Sequence, residues 1–176
     1  MYPLIRFTTA MWRAHRAGPI GPFDTHAERL TCLPWDIDFW AELNNGRTLT
    51  LYDIPRSAHA LRTGLVAVMR REGWGMTVAG SSVRYRQRVR MFHRVTATAR
   101  LIGWDDRFLY LEQGMWRGDT CTSHMLLRAA ITGRDGIVPT ARVAASMGLD
   151  ASPPLPFWVT AWAAAEAQRP WPPARG

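Results

Sequence analysis

The apolar positions of the chain change their period part-way along. Between Ser57 and Glu72, residues Ala58, Leu61, Leu65, Val68 and Met69 recur at steps of three and four, the spacing of one buried helical face. Pro55 suits the first turn of that helix and Gly73 suits its stop. The preceding stretch, Asn45 to Ile54, opens on two capping residues, Asn44 and Asn45, and also reads as helix. From Met76 the period becomes two. Thr77 to Met91 forms one strand, and Val95, Ala97, Ala99 and Leu101 alternate with Arg94, Thr96, Thr98 and Arg100 in a second that ends at Gly103. Leu109, Leu111, Gln113 and Met115 carry a third strand, and Met125, Leu127, Ala129 and Ile131 a fourth, after a turn at Arg117, Gly118 and Asp119. A further strand, Thr25 to Leu33, precedes the helix, and a closing helix covers Phe157 to Gln168.

The order strand, helix, then four-stranded meander predicts an α+β domain in which an antiparallel β-sheet wraps around a long central α-helix. A basic segment, residues 1–22, reads as an amphipathic helix with Leu4, Ile5, Met11 and Trp12 apolar, and is expected to pack on the domain surface. Residues 23–176 then form the single domain with a C-terminal helical extension. At 176 residues such a chain buries enough surface to need no staples. Its two cysteines, Cys32 and Cys121, are too few for a disulfide framework or a four-cysteine zinc site. No apolar run approaches the ~20 residues that span a bilayer, and the N-terminus lacks a secretory cleavage pattern, so a cytoplasmic location is expected.

Several motif searches remove whole classes of chemistry. No glycine-rich phosphate fingerprint, G-x-S-x-G elbow or H-E-x-x-H pair occurs, which excludes dinucleotide folds, serine esterases of the α/β-hydrolase type and zinc hydrolases, and implies no metal or cofactor. The chemistry-bearing segment is WDIDFWAELNNGR, which packs Asp36, Asp38, Glu42, Asn44, Asn45 and Arg47 among Trp35, Phe39 and Trp40. Carboxylates beside aromatic walls lose solvation and gain basicity, as a general base or nucleophile requires. Amides just after Asn44 would be open donors at a helix N-terminus, suited to a developing oxyanion. Capping and turning the chain would account for Asp36 and Asp38 equally well.

On these residues the chain resembles the hotdog-fold acyl-CoA thioesterases of the 4-hydroxybenzoyl-CoA thioesterase-like branch. Asp36 and Asp38 match its Asp-x-Asp pair, and Asn44 and Asn45 the Asn-Asn that opens the central helix. The longer string PWDIDFWAELNNGRTLTLYD is similar to a subgroup related to the thioesterase-superfamily member 6 proteins. The resemblance implies a hotdog fold, assembly as a homodimer or dimer of dimers, and hydrolysis of acyl-CoA or acyl-carrier-protein thioesters. It assigns Asp38 as base or nucleophile, the Asn45 amide as oxyanion donor, and Asp36 and Asn44 as orienting groups. Gly75, supplied by a partner subunit, would be a second donor. Glu42 stands where many relatives carry histidine, as a second base or a structural residue. The Asp-x-Asn-x-x-His pattern of the dehydratase version is missing.

Charge adds one further expectation. The 22 basic residues exceed the 14 acidic ones, giving +8, and all 22 are arginine. Arg84, Arg86, Arg88 and Arg90 fall on alternate positions of one predicted strand and so share a face, suited to the phosphates of coenzyme A. A solvated outer face with acidic partners would also accommodate them. Two other classes fit the charge: a non-catalytic acyl-binding or interaction protein of the same fold, and a single-stranded nucleic-acid binder. Against the latter, none of the tryptophans interleaves with the arginine stripe.

Overall fold

The computed structural model describes residues 2–175. After α1 (Leu4–Ala17) come β1 (His26–Thr31), a 3₁₀ turn at Pro34–Asp36, α2 (Asn45–Arg62), α3 (Leu65–Glu72) and β2 (Gly75–Tyr85). The meander β3 (Arg94–Trp104), β4 (Leu109–Arg117) and β5 (Thr120–Gly133) follows, then the short β6 (Gly136–Ile137), α4 (Thr140–Ser146) and α5 (Phe157–Ala167). The antiparallel strands run β1-β3-β4-β5-β2, so β2, first of the long strands in sequence, is carried to the edge beyond β5. The sheet curls around α2, and α1 packs on α2 through the buried Ala10 and Ala14.

Period-two burial explains the sheet. Val95, Ala97, Ala99 and Leu101 of β3 all point into the core, as do Leu109, Leu111 and Met115 of β4 and Met125, Leu127, Ala129 and Ile131 of β5. The outer face is not uniformly solvated. Tyr110 and Leu126 on that face are buried under Val159 and Trp162 of α5. Gly103 permits a close approach there: its φ of 145° accompanies a bulge after Leu101, and a Cβ would stand 2.8 Å from the Ser152 hydroxyl.

Three features depart from the sequence reading. Pro55 does not start a helix but lies inside α2, although its missing N–H removes the partner of the Leu51 carbonyl. Burial of Leu51, Tyr52, Ile54 and Ala58 on both sides of it overrides that local cost. The break falls instead at Gly64, in left-handed conformation, and Gly73 ends α3 in the same conformation as expected. Strand β2 stops at Tyr85 rather than Met91, because the amides of Arg86 and Gln87 both turn to the Thr122 carbonyl (2.9 and 3.1 Å). The helix α4 was not anticipated.

One buried titratable group marks the core of α2. His59 is 3% exposed, and its Nε2 donates to the Asp24 carbonyl at 3.1 Å. Burial, with Arg62 and His26 adding repulsion, pushes its pKa down from 6.5 to about 4. Between those values the unfolded chain binds a proton that the fold refuses, so stability rises with pH across this window and is lost as pH falls from 6.5 through 4. Glu112, held down at about 2 by its hydrogen bond to His124 and by Arg100, and Glu28, lowered by its hydrogen bond to His26, withdraw stability from 4.5 downward and so add only at the acid end of this window. Urea titrations at pH 7 and pH 4.5 should therefore show a loss of stability that His59→Gln, which keeps an N–H for Asp24, substantially flattens; an unchanged pH slope would refute the assignment to residue 59.

Candidate functional site

The segment linking β1 to α2 is organised by Asp36. Its side chain is fully buried, and both oxygens are saturated. Oδ1 accepts from Arg6 Nη2 at 2.8 Å and meets Arg47 Nε at 3.0 Å; Oδ2 accepts from Arg6 Nη1 at 2.8 Å and from the Leu33 amide at 2.9 Å. One carboxylate thus ties α1, the 3₁₀ turn and α2 together. Its backbone carbonyl receives the Asn44 amide at 2.9 Å, which fixes where α2 begins.

Between these points the chain makes a narrow loop closed by a bridge between Ile37 and Leu43. Asp38 heads it. Its Oδ1 accepts from the amides of Trp40 (2.9 Å) and Glu42 (3.3 Å), and its own amide donates to the Glu42 carbonyl at 2.8 Å. Oδ2 of Asp38 has no partner among the described residues. The side chain is half-buried, and the aromatic residues expected to desolvate it turn outward: Phe39 is 86% exposed and Trp40 71%.

Asn44 caps α2 by accepting from the Arg47 amide at 3.1 Å. The amides of Asn45 and Gly46 then remain without partners among the described residues, as the first turn of a helix dictates. Asn45 lines a cleft of about 240 Å³ together with Glu42, Thr48, Arg86, Arg88 and Ser123, with Tyr85 and Met115. Glu42 pairs with Arg88 at 3.0 Å across it.

The structure therefore gathers Asn45, Glu42, Arg86 and Arg88 around one cleft and puts Asp38 one hydrogen bond from Glu42. Asp36 lies behind as an anchor. The arginines do not share a strand face. Arg84 lies on β2 opposite His124, whereas Arg86, Arg88 and Arg90 belong to the loop that follows. Gly75 starts β2, ten residues from Tyr85, or roughly 33 Å at ~3.3 Å per residue, so it is remote from the cleft of its own chain. The sequence reading missed the cleft floor, formed by Thr48, Met115, Thr122 and Ser123, all buried. Thr48 could have been found as the residue one turn below the cap; the rest depends on the pairing of β4 with β5.

Neither cysteine lines this cleft, and burial raises the thiol of Cys121 above its ordinary value. Burial, with Asp36 nearby, pushes the Cys32 thiol up to about 11. Among the described residues no three His, Cys, Asp or Glu side chains converge to hold a metal ion, and no helix is long and apolar enough to cross a membrane.

The family model of the thioesterase-like superfamily matches residues 32–163. Over 81 residues the chain is 41% identical to Protein THEM6 of Xenopus laevis, a stretch that takes in 46% of this chain and 39% of that protein. The chain thus spans well under two thirds of that relative's length. Among solved structures, the putative oleoyl thioesterase of Lactobacillus plantarum superposes with a TM-score of 0.65 at 15% identity, over 76% of this chain and 55% of that one. DHNA-CoA thioesterase of Staphylococcus aureus gives a TM-score of 0.60 at 12% identity, over 81% and 91%. At these identities the likeness is one of fold, and the fold is the hotdog.

The Asp36 cluster makes a direct prediction. Removing one partner of a buried ion cluster strands the others, so Asp36→Ala should lower stability by about 3 kcal/mol, toward the low end of the buried-pair range because both guanidiniums retain some solvent access. A urea midpoint within experimental error of the wild type would show that the cluster does not hold the loop.

Proposed function

The chain belongs to the thioesterase-like superfamily, and from that premise we propose that it hydrolyses acyl-CoA thioesters in the cleft at the N-terminus of α2. The observation that carries this reading is the open amide of Asn45 at the start of α2, on a cleft that this residue shares with Glu42, Arg86 and Arg88, with Asp38 hydrogen-bonded to Glu42.

A thioester carbonyl seated against the Asn45 amide would have its developing negative charge met by an N–H and by the positive end of the α2 dipole. Asp38 then acts in one of two ways. As a base it takes a proton from water while the water oxygen attacks the carbonyl carbon and the coenzyme A thiolate leaves. As a nucleophile its free oxygen attacks first and expels the coenzyme A thiolate, giving a mixed anhydride that water opens to release the acid and restore the carboxylate. In both cases Oδ1, fixed by two amides, orients the group and leaves Oδ2 to react. Asp36 and Asn44 position the loop and the helix start. Glu42, held by Arg88, keeps a negative charge near the cleft and can serve as a second proton acceptor when that pair opens.

Arg86 and Arg88, both exposed on the loop beside the cleft, suit the diphosphate and 3′-phosphate of coenzyme A. Acyl-carrier protein presents the same pantetheine thioester without the 3′-phosphate nucleotide, so the arginines favour coenzyme A.

The reading includes a dimer. Strand β2 pairs with β5 on one side, and its other edge has no strand partner among the described residues. Two such edges paired antiparallel about a two-fold axis would bring Gly75 of one copy toward the Tyr85 end of the other, where the cleft lies. That arrangement gives Gly75 its role as a second carbonyl donor.

Two tests follow. Asparagine at position 38 keeps the Oδ1 acceptor and hence the loop, so Asp38→Asn should fold like the wild type yet lose at least about 100-fold in thiol release across an acyl-CoA panel; retained turnover would sink the role of Asp38. A folded wild type inactive on every member would instead favour a non-catalytic acyl-binding protein of this fold. Separately, Arg86→Ala with Arg88→Ala should raise KM for acyl-CoA while leaving turnover of the matching acyl-pantetheine thioester unchanged. Equal effects on both substrates would remove the nucleotide-clamp role.

A further inference from the structure

We propose that Tyr52 and Gln113 form a rigid septum that ends the acyl pocket, so that the cleft takes short acyl chains and Tyr52 sets the limit. The inference rests on the reading of the α2 cleft as the thioester site.

Two parallel ladders of residues run inward from the cleft. Along α2, Thr48, Tyr52 and Arg56 follow one another at single-turn spacing on the same face. Along β4, Met115, Gln113 and Leu111 follow at two-residue spacing on the core side. Thr48 and Met115 line the cleft. Arg56 and Leu111 line a second space, an enclosed crevice walled by Met76, Leu101, Leu109 and Val143. Tyr52 and Gln113 occupy the middle rung of both ladders, and both are completely buried.

The middle rung is fastened from every side. Gln113 Nε2 donates to the Tyr52 carbonyl at 2.7 Å, and Arg56 Nη1 donates to Gln113 Oε1 at 3.1 Å. The Tyr52 hydroxyl donates to the Ser123 carbonyl at 2.9 Å and lies 2.8 Å from the Ser123 hydroxyl, at the cleft floor. Asp53 holds the other end of Arg56 through its carboxylate. The Gln113 and Arg56 bonds fix the backbone from which the ring projects, and rotating the ring would strip the buried Tyr52 hydroxyl of its Ser123 partners, so the septum resists displacement. An acyl chain entering past Thr48 therefore meets a wall. The crevice beyond is narrow, about 20 Å³, so removing the phenol ring supplies room from its own volume as well as from the space it uncovers.

The test is a chain-length profile of kcat/KM, from butyryl- to palmitoyl-CoA, for wild type, Tyr52→Ala, Tyr52→Leu and Tyr52→Phe. Wild type and Tyr52→Phe, which both keep the ring, should favour the short members. Tyr52→Ala should raise the long-to-short ratio by about tenfold or more, and Tyr52→Leu carries the same expectation if the alanine variant fails to fold. A wild type that uses palmitoyl-CoA as well as butyryl-CoA, or variants with an unchanged profile, would overturn the septum while leaving the thioesterase reading in place. If no acyl-CoA is turned over, the thioesterase reading fails, and binding of the fluorescent fatty acid cis-parinaric acid decides the septum alone. Binding gained only on loss of the ring supports it; equal binding by wild type and variants overturns it.

Discussion

The structure depends on one buried carboxylate. Asp36 is sealed from solvent and accepts four contacts, two from Arg6, one from Arg47 and one from the Leu33 amide. A charge so placed is tolerable only because every acceptor direction is filled by a cation or an amide. The consequence is geometric more than energetic. Arg6 belongs to α1 and Arg47 to the first turn of α2, so the carboxylate fixes two helices relative to each other and to the chain leaving β1. The Asn44 amide bonds to the carbonyl of the same residue, and the open amides of Asn45 and Gly46 therefore have a defined address.

Arginines occur in three settings. Arg6, Arg47, Arg56 and Arg62 are tied into the interior by carboxylates, Gln113, His26 and backbone carbonyls. Arg128 lies over Phe108 and Trp162 on the outer face beneath α5. Arg84, Arg86, Arg88 and Arg90 are exposed at or just beyond the end of β2. The net charge of +8 is thus a poor guide to a ligand surface, because part of it is structural. The exposed remainder at the α2 cleft is Arg86 and Arg88, which line it.

The elements that could be read from the sequence were those whose periodicity coincides with burial on one face. The inward residues of β3, β4 and β5, the Asn44 cap and the Gly73 stop all belong to this class. Pro55 misled because local propensity places it at a helix start, while tertiary burial of Leu51, Ile54 and Ala58 carries α2 straight through it. The arginine stripe misled for a related reason. Alternation of charge continues past Tyr85, but strand pairing ends where two successive amides share the Thr122 carbonyl, and no local pattern encodes that long-range contact. Tyr110 is buried on the nominally outer face by α5, again through a contact distant in sequence.

The Asp-x-Asp pair shows most clearly what sequence spacing leaves open. Two identical side chains, two residues apart, receive opposite environments. Asp36 faces inward onto two guanidiniums, and none of its lone pairs remains for a substrate. Asp38 faces the loop, where the Trp40 and Glu42 amides engage a single oxygen. Alternation along an extended segment would put both aspartates on one face, so the division requires the chain to turn between them. The 3₁₀ turn at Pro34–Asp36 and the tight loop that follows supply that change of direction. Asp36 and Asp38 are therefore a coupled pair, since burying the first fixes the backbone from which the second is presented.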